Sequence, residues 1–118
     1  MAGRFYPGDG GELARMVRAL GVDLVDCSSG GAVPDAAIPV ERDFQVPFAE
    51  RLRAEADIAT GAVGLITEAK QAEAIVAGGR ADVVLIGREF LRDPQWPLHA
   101  AIALGGKPPL PRQYERGF

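Results

Sequence analysis

The sequence predicts a parallel α/β fold, about three βα units of the kind that build an eight-stranded α/β barrel. Three observations carry this. Apolar stripes at helical spacing alternate with short β-branched runs in the order α-β-α-β-α-β-α, the pattern of parallel strands joined by crossover helices. Two of the strands, within Ala59–Glu68 (ATGAVGLITE) and Ala81–Pro94 (ADVVLIGREFLRDP), stop at a glycine and then turn polar. Such paired strand ends form the phosphate pocket of an α/β barrel from its last strands. At 118 residues the chain is one domain at most, about half of a barrel that usually needs roughly 250.

The first helix starts at Asp9 or Gly10, with Glu12 three residues beyond Asp9 as in a capping box. Leu13, Met16, Val17 and Leu20 recur at i, i+3, i+4 and i+7 as its apolar stripe, and Gly21 sits at a left-handed cap position. Val22–Ser28 (VDLVDCS) reads as a buried strand. Ser29–Asp43 is a Gly- and Pro-rich loop of a length that tends to be functional or mobile. Pro47 suits the first turn of a second helix, which buries Phe48, Ala49 and Leu52 and runs to about Glu55. Thr60–Ile66 is the second strand. Thr67 is expected to cap a third helix with Ala69, Ala72, Ile75 and Val76 on its apolar side, ended by Gly78 and Gly79. Asp82–Gly87 is the third and most apolar strand, followed by a helical turn at Glu89–Leu91. Asp93-Pro94 is expected to cap and open the last helix, which carries Trp96, Ala100, Ala101 and Leu104. The tail Lys107–Phe118 (KPPLPRQYERGF) cannot be helical at its start, because of its prolines.

Composition narrows the function classes. With 47% hydrophobic and 25% charged residues the chain is an ordinary globular one. A net charge of −3 gives no electrostatic case for nucleic acid or an anionic membrane. No apolar run reaches the roughly 18 residues of a membrane span, and the N-terminus lacks the apolar core of a signal peptide. The single cysteine, Cys27, excludes an intrachain disulfide and suits a reducing compartment. A soluble, cytoplasmic α/β protein is the expectation.

The candidate ligand site lies at the strand ends. Gly64 and Gly87 would let backbone N–H groups approach an oxyanion without a Cβ in the way. Arg88 adds a fork of donors that suits phosphate, and the turn at Glu89 brings further free N–H groups. The plainer reading makes both glycines tight βα turns and Arg88 a solvated charge. Two such turns in adjacent units, the second followed by arginine, favour the phosphate site. Cys27, among apolar neighbours, reads as a buried inert thiol. His99 has no partner at metal or triad spacing and reads as a surface or core-edge histidine. Asp23 and Asp26 point to opposite faces of a strand and cannot share a site. No metal ligand set and no catalytic residue is identified in the chain.

The segments GVDLVDCSSGG, VPFAERLRAEADIATGAVGLIT, GRADVVLIGREFLRDPQWPLHAA and QYERGF together resemble the C-terminal portion of the Old Yellow Enzyme family. These are FMN-dependent ene-reductases, also named NADH:flavin oxidoreductases, and the similarity is to the bacterial branch ending in QYERG. The resemblance implies the C-terminal part of a TIM (β/α)8 barrel: residues 1–118 as one partial FMN-binding domain with an extended tail at 107–118. It implies FMN as cofactor and NADPH or NADH as reductant. The family's phosphate-binding glycine and GR pair match Gly64, Gly87 and Arg88. Its tail arginine, which reaches a neighbouring subunit's active site in a homo-oligomer, matches Arg116, with Tyr114 beside it.

The departure from the family is also large. The strands that carry the flavin-ring loop, the redox-tuning residue, the substrate-binding His/Asn pair and a basic residue near flavin N1 have no counterpart here. Intact members reduce α,β-unsaturated carbonyl compounds, whereas this chain retains the phosphate anchor and the tail. It is therefore expected to be a fragment, from a truncated or split gene or a misplaced start codon. A non-catalytic remnant or complementation module is the alternative, and another phosphate-binding barrel, such as a dihydroorotate dehydrogenase-like protein, is a third reading that the QYERGF and GREFLRDP runs oppose. Three strands with helices on one side leave an inner face and two edges bare. Expressed alone, the chain is expected to be insoluble or oligomeric and to carry no flavin; a soluble, yellow, monomeric product would contradict this.

Overall fold

The predicted alternation is realised as one parallel sheet, strand order β1-β2-β3. A computed structural model describes residues 10–28 and 42–118. Asp9, and the loop residues 29–41, lie outside the described residues. The elements are α1 (Gly10–Ala19), β1 (Leu24–Cys27), α2 (Val46–Ala56), β2 (Ala59–Val63), α3 (Ala69–Ala77), β3 (Val83–Leu85), α4 (Arg88–Arg92) and α5 (Trp96–Ala103), followed by a 3-10 turn at Arg112–Gly117. Leu24 pairs with Ala59 and Cys27 with Ala62, while Ala62 and Val63 pair with Val84 and Leu85. No helix among the described residues is long and apolar enough to cross a membrane.

Register and strand alternation put Cys27, Ala62 and Val84 in one row, on the face covered by helices. There Val46 and Ala49 of α2 and Ala72 and Ile75 of α3 join Cys27, Ala62, Ile66 and Ala81 in the main core. The next row, Asp26, Gly61 and Val83, faces the other way. That face is bare: Leu24 and Val83 are each 40% exposed. The expectation that the first strand is buried is thus corrected. β1 is half-buried, because only one of its faces has a covering layer.

The first helix departs from its expected packing. Its Gly11 and Ala14 are buried and its Val17 packs with Ala56 and Ile58, whereas Leu13, Met16 and Leu20 stay exposed. The reason is steric: α1 lies on α2 through its small residues, and the larger part of its stripe turns past α2. Gly21, at φ +97°, takes the left-handed conformation expected after the helix. Two caps also differ. α3 is capped by Glu68 and not Thr67, in a reciprocal capping box with Gln71. α5 is preceded by Gln95, with Pro97 in its first turn, while Asp93 closes α4. Asp93 still organises the junction, because its carbonyl accepts from Trp96 N–H at 3.0 Å and its Oδ1 from Gln95 N–H at 3.1 Å.

At the amino ends of the strands, β2 and β3 are clamped by a reciprocal pair. Asp82 N–H donates to the Thr60 carbonyl, and Thr60 N–H to Asp82 Oδ2, both at 2.9 Å. Arg53 of α2 donates to both Asp82 carboxylate oxygens and to the Gly79 carbonyl. The Thr60 hydrogen bond lowers the Asp82 pKa most; burial opposes it, and Arg53 lowers it further. A carboxyl held below its unfolded value contributes stability that is present above the ordinary carboxylate range and is lost as pH falls through the folded value. The urea midpoint of the chain should therefore drop with acidification below that range, and Asp82→Asn should remove part of the slope. An unchanged pH profile in Asp82→Asn would exclude this role.

Candidate functional site

The carboxyl ends of β2 and β3 open into a cleft of about 380 Å³ lined by Phe44, Gln45, Val63–Thr67, Leu85–Glu89 and Arg92. The three sequence-predicted site residues at the strand ends, Gly64, Gly87 and Arg88, all lie in this lining. Arg116 does not. It sits on the exposed 3-10 turn of the tail, with Tyr114 64% exposed.

One wall is the turn after β2. Gly64 has φ +106° and Leu65 φ +50°, so two successive residues leave the extended region and end the strand three residues before its expected limit. The turn is held by the amide of Gln71, a buried side chain. Gln71 Oε1 accepts from Thr67 N–H at 3.0 Å and Glu68 N–H at 3.4 Å, and Nε2 donates to the Leu65 carbonyl at 3.0 Å and Asp43 Oδ1 at 2.5 Å. Trp96 of α5 adds a bond from Nε1 to the Thr67 carbonyl at 2.9 Å. The facing wall is Phe44-Gln45, just before α2. A Cβ on Gly64 would lie 2.7 Å from the Phe44 ring and 2.8 Å from the Gln45 side-chain nitrogen.

The other wall is β3 running into α4. A Cβ on Gly87 would meet nothing within 4 Å, and its φ of −104° needs no glycine. Nothing in the described structure fills the space beside this backbone. Arg88 follows at the same edge. Glu89 and Arg92, one helical turn apart, form an ion pair at 3.0 Å. Open space beside Gly87, an arginine in the same lining and a mix of polar and apolar lining residues fit a phosphate carried on a larger organic group.

Sequence reasoning placed the turn at Glu89 in the site but missed Phe44, Gln45 and Arg92 as lining residues, and Gln71 as the support of the β2 turn. For Gln71 a signal existed, since Glu68 and Gln71 stand at capping-box spacing, but glutamate is an unusual cap. His99 gains a partner not expected from its spacing: Nδ1 lies 2.6 Å from Asp93 Oδ2, and its ring meets Phe118 at 5.8 Å. Cys27 is buried, and burial first, then Asp26, pushes its thiol up to about 11, as befits an inert thiol. Asp23 and Asp26 are both exposed, with Asp23 lying before the strand.

The two glycines make different demands, so their substitutions should separate. Gly64→Ala is expected to cost about 1–3 kcal/mol in urea unfolding, through backbone strain and the clash with Phe44 and Gln45. Gly87→Ala should stay within about 0.5 kcal/mol. Equal costs would show that the turn geometry has been misassigned.

The sequence profile of the NADH:flavin oxidoreductase / NADH oxidase family matches residues 7–104. The chain is 53% identical over 106 residues to an NADPH dehydrogenase of Halalkalibacterium halodurans, covering 90% of this chain and 31% of that protein. It is 57% identical over 104 residues to an NADPH dehydrogenase of Geobacillus thermodenitrificans, covering 88% and 30%. An NADPH dehydrogenase of Bacillus subtilis is 52% identical over 105 residues, covering 89% and 31%. The chain thus spans somewhat under a third of the length of these relatives, and its three parallel βα units are part of the barrel. On this footing the chain belongs to the NADH:flavin oxidoreductase / NADH oxidase family.

Proposed function

We propose that the chain supplies the FMN-phosphate site of a flavin-dependent NADPH oxidoreductase. The observation that carries this is the open edge of the cleft: Gly87 leaves unfilled space beside its backbone, and Arg88, next in sequence, is part of the same lining. Gly64 shapes the opposite wall. In this reading residues 1–118 are one partial barrel domain with a tail at 107–118. The glycine-flanked backbone receives the phosphate oxygens, Arg88 neutralises them, and the Gln71-braced turn keeps the two walls apart. Bound FMN supplies hydride relay from NADPH, or NADH, to an electron-poor alkene such as an α,β-unsaturated carbonyl compound.

The similarity to NADPH dehydrogenases supports the reductant and the reaction class. Among the described residues the cleft offers Arg88, Arg92 and the ion-paired Glu89 as its charged groups, and the redox chemistry is assigned to the assembled barrel rather than to this segment. Arg116, on an exposed turn, is free to reach a neighbouring subunit of a homo-oligomer. A cytoplasmic setting matches the need for a pool of reduced nicotinamide.

The bare sheet face favours a second role beside this one. Leu24 and Val83 stand where the inner layer of a barrel would be packed, so the chain also serves as a module that is completed by the remaining strands.

Because the chain alone is expected to retain no flavin through purification, the phosphate anchor is tested by adding FMN in excess to the chain carried on a solubilising fusion partner and following flavin fluorescence anisotropy. FMN is expected to bind better than riboflavin, which lacks the phosphate. Arg88→Ala should weaken FMN at least about tenfold, the scale of one lost charge-assisted bidentate contact. Gly87→Ala should weaken it without altering the unfolding midpoint. Indifference to the phosphate and to Arg88 would refute the assignment.

A further inference from the structure

Three charged side chains line the cleft, and their situations differ. The Arg88 side chain makes no ion pair or hydrogen bond among the described residues. Arg92 Nε donates to Glu89 Oε2 at 3.0 Å. The Glu89 side chain is 23% exposed and that of Arg92 62%. Glu89 is therefore a partly buried anion at the wall of a cleft assigned above to a phosphate. Like charges in a partly desolvated site repel strongly, and a carboxylate there would oppose the ligand. As a support for a five-residue helix, the pair would matter little, because exposed ion pairs at this spacing are weak. Its effect on the charge of the lining is larger. With the pair intact the cleft keeps one uncompensated positive charge, on Arg88. With Arg92 removed the lining is neutral, and a bare carboxylate faces the ligand.

We propose that Arg92 is a positioning residue for phosphate binding, holding and neutralising Glu89 so that the positive charge of Arg88 acts on the ligand undiminished. The inference rests on the phosphate reading of the cleft and adds a residue that reading does not use. Arg92 acts through Glu89, so its effect depends on the carboxylate being present.

A double-mutant cycle tests this, with FMN titrated into the full chain and its Arg92→Ala, Glu89→Gln and doubly substituted forms, at low and at raised salt. Arg92→Ala is expected to weaken FMN about tenfold, the scale of one unit charge changed within a few ångströms of a phosphate. Glu89→Gln should restore most of that loss in the Arg92→Ala background while changing the parent chain by a much smaller factor. The Arg92→Ala deficit should also shrink at raised salt, as a screened charge effect does. Three results would overturn the proposal. One is wild-type affinity in Arg92→Ala. Another is the same Glu89→Gln factor in both backgrounds, which makes the two residues independent. The third is a deficit unchanged by salt and accompanied by loss of helicity, which makes Arg92 only a support for α4. Failure of the parent chain to distinguish FMN from riboflavin overturns the phosphate reading itself and this inference with it. With discrimination intact, any of the three results removes this inference alone.

Discussion

The cleft depends on one buried amide. Gln71 projects from the first turn of α3 and ties together the Leu65 carbonyl, the Thr67 and Glu68 N–H groups and the Asp43 carboxylate. Those groups belong to the turn after β2, to the residue before Phe44 and to the start of α3. A side-chain amide suits the position because it donates and accepts at once. Leucine would fill the volume but abandon four polar partners, and the cost of an unmade buried hydrogen bond exceeds the net gain of a made one. Glutamate would set a carboxylate against the Leu65 carbonyl and Asp43. Leu65, left-handed at φ +50° beside the permissive Gly64, is strained backbone, of a kind that persists only where its surroundings over-determine it. Gln71 and the Trp96 indole, which bonds the Thr67 carbonyl, supply that constraint.

A second constraint comes from the sheet. Its helix-covered face is closed by small residues, with Ala49, Ala62, Ala72 and Ala81 around Val46 and Ile75, so α2 and α3 approach the strands closely. Its other face presents Leu24 and Val83 to solvent beside a glycine, Gly61. A Cβ on Gly61 would lie 2.8 Å from a Leu85 methyl, so the side chains of β3 lean over the centre of the sheet on this side. Apolar side chains layered on the inner face are how a parallel barrel fills its interior. The same sheet thus carries a finished outer layer and an inner layer that packs only in a closed barrel. The cleft lies at the carboxyl edge common to both, where α/β folds place their ligands.

How much of this was legible in the sequence follows from which interactions are local. The β–α alternation could be read because periodicities of 2 and 3.6 are properties of each segment alone. The placement of Gly64, Gly87 and Arg88 at the cleft could be read because the end of an apolar strand run is marked locally, by the glycine and the polar residues after it. The orientation of α1 could not, since its Leu13-Met16-Leu20 stripe and its Gly11-Ala14 face are both helical and only the docking on α2 chooses between them. The Asp93–His99 contact was hidden for a similar reason. Asp93 precedes the helix that carries His99, and their meeting depends on the turn angle between α4 and α5. Phe44 and Gln45 became cleft residues only when the β2 turn was placed opposite them.

The two predicted glycines turn out to carry unequal weight in the functional argument. Gly64 is required by the chain itself, because its φ is left-handed and a Cβ would strike Phe44 and Gln45. A protein with no ligand would need it just as much, so its presence says little about phosphate. Gly87 has neither excuse: its φ is negative and the space beside it is open. A glycine there still lowers the stability of the unfolded-to-folded balance through backbone entropy, with no compensation inside the described structure. In the phosphate reading proposed above, the missing Cβ leaves room for an oxyanion to approach that backbone. Arg88, next in sequence and with its side chain unpaired among the described residues, would match that negative charge.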